Sequence, residues 1–170
     1  MEIIFYSLMI VSHFGQFVLG NNNFIVIGLP VIPFFSLMIA QGHRLTKDNT
    51  MYSTRILIIS VLSEYFFRIL TGYSFNDIIG LFVGLLLINV FSAGYKKNNY
   101  KILIYLLISY ALSKISFKLT YICTWILFFD VVLDYREIRV PRLLKSKCLY
   151  LNYLIYPAHL LVLIGIKVNL

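Results

Sequence analysis

Residues 31–68 read VIPFFSLMIAQGHRLTKDNTMYSTRILIISVLSEYFFR: an apolar run, a polar basic turn, then a second apolar run that holds Glu64 and, one helical turn on, Arg68. A soluble helical hairpin carries an apolar stripe on each arm with charges on the opposite face. Neither arm here has a wet face. Apolar residues run all round both, a pattern that predicts helices inside a membrane. Ionisable groups at membrane depth are costly enough to be functional hypotheses by default.

The rest of the chain extends that pattern. Its 170 residues are 60% hydrophobic and 13% charged, with a mean hydropathy of +0.85, whereas soluble domains carry roughly 25% charged residues. Apolar runs recur at 3–19, 24–40, 52–70, 78–93, 102–113, 119–133 and 149–168. A helix crosses the hydrocarbon core with about 20 residues; the fifth and sixth runs are short. The alternation of barrel strands is missing. The expected fold is therefore an all-α integral membrane protein, a polytopic helical bundle of about seven transmembrane spans. It would form one transmembrane domain over 1–170, with no separate soluble domain. The opening run lacks a basic leader and an A-x-A-like cleavage site and contains His13 and Gln16, so it reads as a retained span. Cys123 and Cys148 fall toward opposite ends of different spans and read as packing residues; no Cys/His spacing suggests a metal.

The net charge of +8 sits in the connections. The turn at 41–55 carries His43, Arg44, Lys47 and Arg55, the next basic turn Lys96, Lys97 and Lys101, and the last Arg136, Arg139, Arg142, Lys145 and Lys147. The intervening turns are uncharged, net acidic, or carry only Lys114 and Lys118. This alternation fits the positive-inside preference with the N-terminus cytoplasmic and the C-terminus outside. It explains the charge without nucleic acid, and the lipid bilayer is the expected partner.

The polar groups inside the runs are few and aligned. Tyr6, Met9, His13, Gln16 and Gly20 share one helical face, with Ser12 beside Gln16. Ser60, Glu64 and Arg68 follow at successive fours, acid before base, the favourable order for a helical pair. Asn76, Gly80 and Gly84 share a face, and Gly80-x-x-x-Gly84 is a close-packing pattern. Asn152, Tyr156 and His159 share another, with Pro157 removing an amide from the helix ladder. Each has a structural reading: interhelical bonds for the histidines, an ion pair for Glu64 and Arg68. Each also has a functional one, with His13 as a general base. Two histidines on different helices plus a buried acid point to a site between helices. The basic inner rim suits a phosphorylated ligand and equally suits anionic headgroups.

These residues resemble the TraX family of inner-membrane proteins linked to acetylation of conjugative pilin, itself similar to wider transmembrane acyltransferases. Ser12-His13-Phe14-Gly15 resembles its Asp-His-Ile-Gly element. Pro33-Phe34-Phe35 followed by Ile39-Ala40-Gln41-Gly42-His43-Arg44 resembles its Pro-x-Phe…Ile-Ala-Glu-Gly-x-Arg element. The run from Arg55 through Ile59-Ser60-Val61-Leu62-Ser63-Glu64 resembles its Arg-Leu-Leu…Ile-Ser-Glu run. Asn76 through Gly84, and Tyr156-Pro157-Ala158-His159-Leu160-Leu161, resemble two further elements. Ser12 and Gln41 stand where the family carries acids, which removes a natural orienter of His13. An acidic turn that the family carries late in the chain is not seen between Tyr110 and Trp125.

The resemblance implies an acetyltransferase of the bacterial inner membrane that moves acetyl from acetyl-CoA to the N-terminal amine of a pilin subunit. His13, Glu64 and His159 would be catalytic, and Arg68, Asn76, Tyr156 and Gln16 would bind the acceptor. Arg44, His43, Arg55, Arg139 and Arg142 would bind the phosphates of acetyl-CoA. A different class, a small transporter or a non-catalytic pilus-assembly partner, uses the same polar face as a path or a grip.

Overall fold

The computed structural model describes residues 2–72, 76–92, 100–114, 116–136 and 149–170. They are helical: α1 (Glu2–Phe17), a 3-10 turn (Asn22–Phe24) leading into α2 (Ile25–Gly28), α3 (Val31–Leu45), α4 (Asn49–Thr71), α5 (Asp77–Ser92), α6 (Tyr100–Ser113), α7 (Phe117–Arg136) and α8 (Leu149–Asn169). No strand occurs among the described residues.

Each apolar run of the sequence coincides largely with helix, and in the second the regular helix is interrupted at residues 29–30. Leu29 (φ −53°, ψ −45°) and Pro30 (φ −71°, ψ −13°) keep helical dihedrals between α2 and α3, but Pro30 has no amide to donate. Two of the polar connections end helices by ordinary chemistry. The Asp48 side chain accepts from the Met51 amide at 2.9 Å and opens α4. Gly72 closes α4 at φ +73°, donating its amide to the Arg68 carbonyl at 2.8 Å.

The helices form a ring in the order α1, α3, α7, α5, α4, α8 and back to α1. α6 lies outside against α7, and α3 also touches α5 across the ring. One core joins the C-terminal half of α3 and the N-terminal half of α4 to α5, α6 and α7 around Leu85, Ile88, Ile122 and Ile126. A second joins α1, the start of α3, the end of α4 and α8 around Met9, Phe67, Tyr156 and Leu160.

The expected close packing at Gly80 and Gly84 is present, and its partner is α7. A Cβ on Gly80 would lie 2.7 Å from Ile122 Cδ1, and one on Gly84 2.5 Å from Ile126 Cδ1. Cys123 is buried in the same seam, its thiol 3.6 Å from the Gly80 carbonyl. Cys148 lies outside the described residues.

Outward faces are apolar. Leu57, Ile58, Val61, Tyr65 and Ile69 on α4 and Leu103, Leu106 and Leu107 on α6 are all exposed. Among the described residues, 22–45 form one stretch long and apolar enough to cross a membrane; 3–17, 77–90, 102–113 and 154–169 are apolar but shorter.

Candidate functional site

The site starts on α1. Gly15 has no side chain, so the Phe24 ring occupies the space a Cβ would need. Gly28 likewise lets α2 come close to Ser12, whose hydroxyl donates to the Phe24 carbonyl at 2.9 Å. Gln16 donates to Ser12 Oγ at 2.7 Å. With α2 fixed on that side, His13 turns its ring toward α8.

There it meets His159: His13 Nδ1 and His159 Nε2 are 2.8 Å apart and both rings are buried. The other ring nitrogen of His159, Nδ1, lies 3.3 Å from the Ile155 carbonyl. A carbonyl only accepts, so His159 carries its proton on Nδ1 and accepts at Nε2. His13 must then donate from Nδ1. For neutral rings, that leaves the lone pair of His13 on Nε2. Tyr156 stands edge-on to both imidazoles, with centroids 5.9 and 5.0 Å away. Its hydroxyl is buried without a hydrogen-bond partner among the described residues.

His13 also lines a partly open cavity of about 650 Å³, bordered by α1, α2 and the ends of α3, α4, α5 and α7. Its walls are mostly apolar, with Met9, Phe17, Val31, Ile32 and Phe67 among them, and Ser12, His13, Gln16, Asp77, Lys118 and Tyr121 bring polar groups to it. Asp77 Oδ1 and Lys118 Nζ form an ion pair at 2.9 Å. The cavity volume falls in the range of small-molecule sites.

Glu64, Arg68 and Asn76 come together at the joint between α4 and α5. Glu64 Oε1 accepts from Arg68 Nε at 2.9 Å, the expected ion pair, and Oε2 accepts from the Asn76 amide at 2.9 Å. Asn76 Oδ1 accepts from the Ile79 amide at 2.9 Å and caps α5. Both residues thus make helix-joining bonds, and Arg68 is largely exposed.

A second polar cluster lies at the far end of the ring, about 20 Å along the α3 axis from Val31 in the cavity wall. Arg44 Nη2 donates to the Asp130 carbonyl at 2.6 Å and sits 3.3 Å from its carboxylate Oδ1. Asp130 Oδ2 accepts from Tyr105 Oη at 2.9 Å. His43 is buried and Arg55 half-buried on the same side. Arg139 and Arg142 lie outside the described residues.

The sequence-predicted residues thus divide into groups. His13, His159 and Tyr156 converge, with Gln16 at their cavity. Glu64, Arg68 and Asn76 form a neighbouring joint. Arg44 and His43 belong to the far cluster. Sequence reasoning missed Asp130, although an acid inside the apolar WILFFDVVL carries the same signal as Glu64. It also missed the Asp77–Lys118 pair, because both residues fall at run ends where charge is ordinary. No group of three or more metal-ligating side chains occurs among the described residues.

Among the described residues, the arrangement is that of a helical bundle with an oriented imidazole at a partly open cavity. No family model, curated protein or solved structure matches the chain.

Proposed function

We propose that the chain is a multi-pass protein of the bacterial cytoplasmic membrane that transfers acetyl from acetyl-CoA to the N-terminal amine of a conjugative pilin subunit. The membrane reading is supported by outer faces that are as apolar as the core. Polar and charged groups such as His13, Glu64, Asp130 and His159 are buried, while large apolar side chains on α1, α4, α6 and α8 face outward. Water penalises such a surface; lipid does not.

The single observation that carries the transferase reading is the 2.8 Å bond between His13 and His159 beside the cavity. It supports His13 Nε2 as the base and His159 as the group that orients it and shares the charge once His13 is protonated. The lost acid at Ser12 is thereby replaced by an imidazole. The acceptor first sheds one ammonium proton to solvent. As the neutral amine attacks the thioester carbon, His13 Nε2 takes the proton that the nitrogen loses. The C–S bond then breaks, and the proton returns to the CoA sulfur. Amide and thiol leave, and His13 is again neutral.

The phosphates of acetyl-CoA would dock at the opposite, cytoplasmic end, where Arg44, His43 and Arg55 stand, with Arg139 and Arg142 in the following basic connection. Glu64 and Asn76 hold α5 in place, and Arg68 and Tyr156 flank the acceptor.

The test is the melting temperature of the protein in lipid nanodiscs with CoA or acetyl-CoA. A co-substrate at 100 times its Kd stabilises by about 2.7 kcal/mol. The shift should persist in His13→Ala, which removes the base and not the phosphate site. No shift with either compound would exclude them as ligands.

A further inference from the structure

We propose that Asp77 and Lys118 are the recognition pair of the cavity beside His13: Asp77 receives the ammonium of an incoming primary amine carried on an apolar segment, and Lys118 is the protein's own cation that this ammonium displaces. The inference deepens the transferase reading, and it rests on that reading for the amine's role as acyl acceptor.

The two partners of the 2.9 Å pair are unequal. The Asp77 side chain is 25% exposed and that of Lys118 46%, so the carboxylate is the deeper group and the ammonium the one nearer the outside. Asp77 is the first residue of α5, directly after its Asn76 cap. An anion is favoured there by the partial positive charge of a helix N-terminus. Lys118 is the second residue of α7, where the same effect disfavours a cation. The fold therefore stabilises Asp77 as a carboxylate in its own right and holds Lys118 against the helix field. Lys118 Nζ also lies 5.2 Å from the centre of the Phe67 ring, a cation site on the cavity wall.

The cavity supplies the rest of the chemistry. Asp77 and His13 line the same cavity, so an ammonium bound to Asp77 shares that space with the imidazole. Met9, Phe17, Val31 and Phe67 offer only apolar contact, which selects an apolar body behind the charged head. A ligand with an ammonium and an apolar segment satisfies both, and its nitrogen is the atom the base must reach. An anionic ligand would instead meet Asp77.

Binding tests this without turnover. The full-length protein in nanodiscs, with no acetyl-CoA present, is titrated with a short apolar peptide bearing a free N-terminal ammonium and with the same peptide N-acetylated. Wild type should prefer the free amine by about tenfold, the scale of one charge-assisted hydrogen bond. Asp77→Asn should abolish that preference, because the carboxylate that receives the ammonium is gone. Lys118→Gln should tighten binding of the free amine, because the internal competitor is gone. Opposite signs from the two halves of one ion pair are the signature; a purely structural bridge moves both variants the same way. Asp77→Glu keeps the charge and should keep the preference, and Lys118→Gln carries the test if Asp77→Asn does not fold. Equal binding of the two peptides to wild type, or loss of free-amine binding in Lys118→Gln, would overturn the proposal. A preference without acetyl transfer once acetyl-CoA is added would leave this site standing and remove the transferase.

Discussion

His13 owes its proposed reactivity to what stands behind it. With Nδ1 bonded to His159, its lone pair is fixed on Nε2 at a ring that lines the cavity. His13→Ala should lower transfer by about 10²–10⁴-fold at unchanged protein level, the usual contribution of a general base. His159→Ala should cost less, about tenfold or more, because the base survives without its orienter. Both are measured as initial rates on an acceptor peptide; full activity in His13→Ala would remove it from the chemistry. Glu64 behaves differently. Its oxygens bond the Asn76 amide and Arg68, so Glu64→Ala should appear mainly as lost stability, about 1–3 kcal/mol by thermal melting. The histidines were legible because polar residues in an apolar run stand out. Asp77 and Lys118 were not: at run ends a charge is unremarkable, and only the packing of α5 on α7 brings them together.

At the scale of helices, α7 is the organiser, touching α3, α5 and α6. Its two seams make separate predictions. Gly84→Leu would drive a side chain into Ile126 and should destabilise by about 1–3 kcal/mol, with Gly80→Leu acting alike against Ile122. Asp130 ties α7 to Arg44 of α3 and Tyr105 of α6. Asp130→Ala should cost about 3 kcal/mol, the low end for breaking a buried pair, since Arg44 keeps some access to its surroundings. Thermal melting in nanodiscs reads both, and an unchanged melt in Asp130→Ala would contradict the role given to that pair. Helix existence and approximate extent were readable from apolar run length, and Gly80-x-x-x-Gly84 correctly announced a close seam. Its partner was not readable. Helices that are apolar all round carry no periodic stripe to say which face meets which neighbour.

At the largest scale, the described residues form a ring of helices whose interior holds two apolar cores with polar groups set among them, and whose outer faces carry many large apolar side chains. Its orientation in the proposed membrane follows from loop charge, and cysteine labelling checks it in a variant lacking Cys123 and Cys148. A cysteine at Asn21 should react with an impermeant reagent in intact cells, and one at Lys47 only after permeabilisation; the reverse pattern would invert the topology. That polar groups would meet inside a helical bundle was legible from their rarity. That they would gather in two clusters, one around His13 and one around Asp130, depends on a ring closure that no local pattern encodes. The proposed function makes this bundle an acyltransferase with His13 as its base. The most direct test is the intact mass of pilin subunits from cells carrying the wild-type protein or His13→Ala at equal membrane levels. The account predicts an acetyl increment on the pilin N-terminus with the wild type and none with the variant. An unmodified N-terminus in both, or the same increment in both, would contradict it.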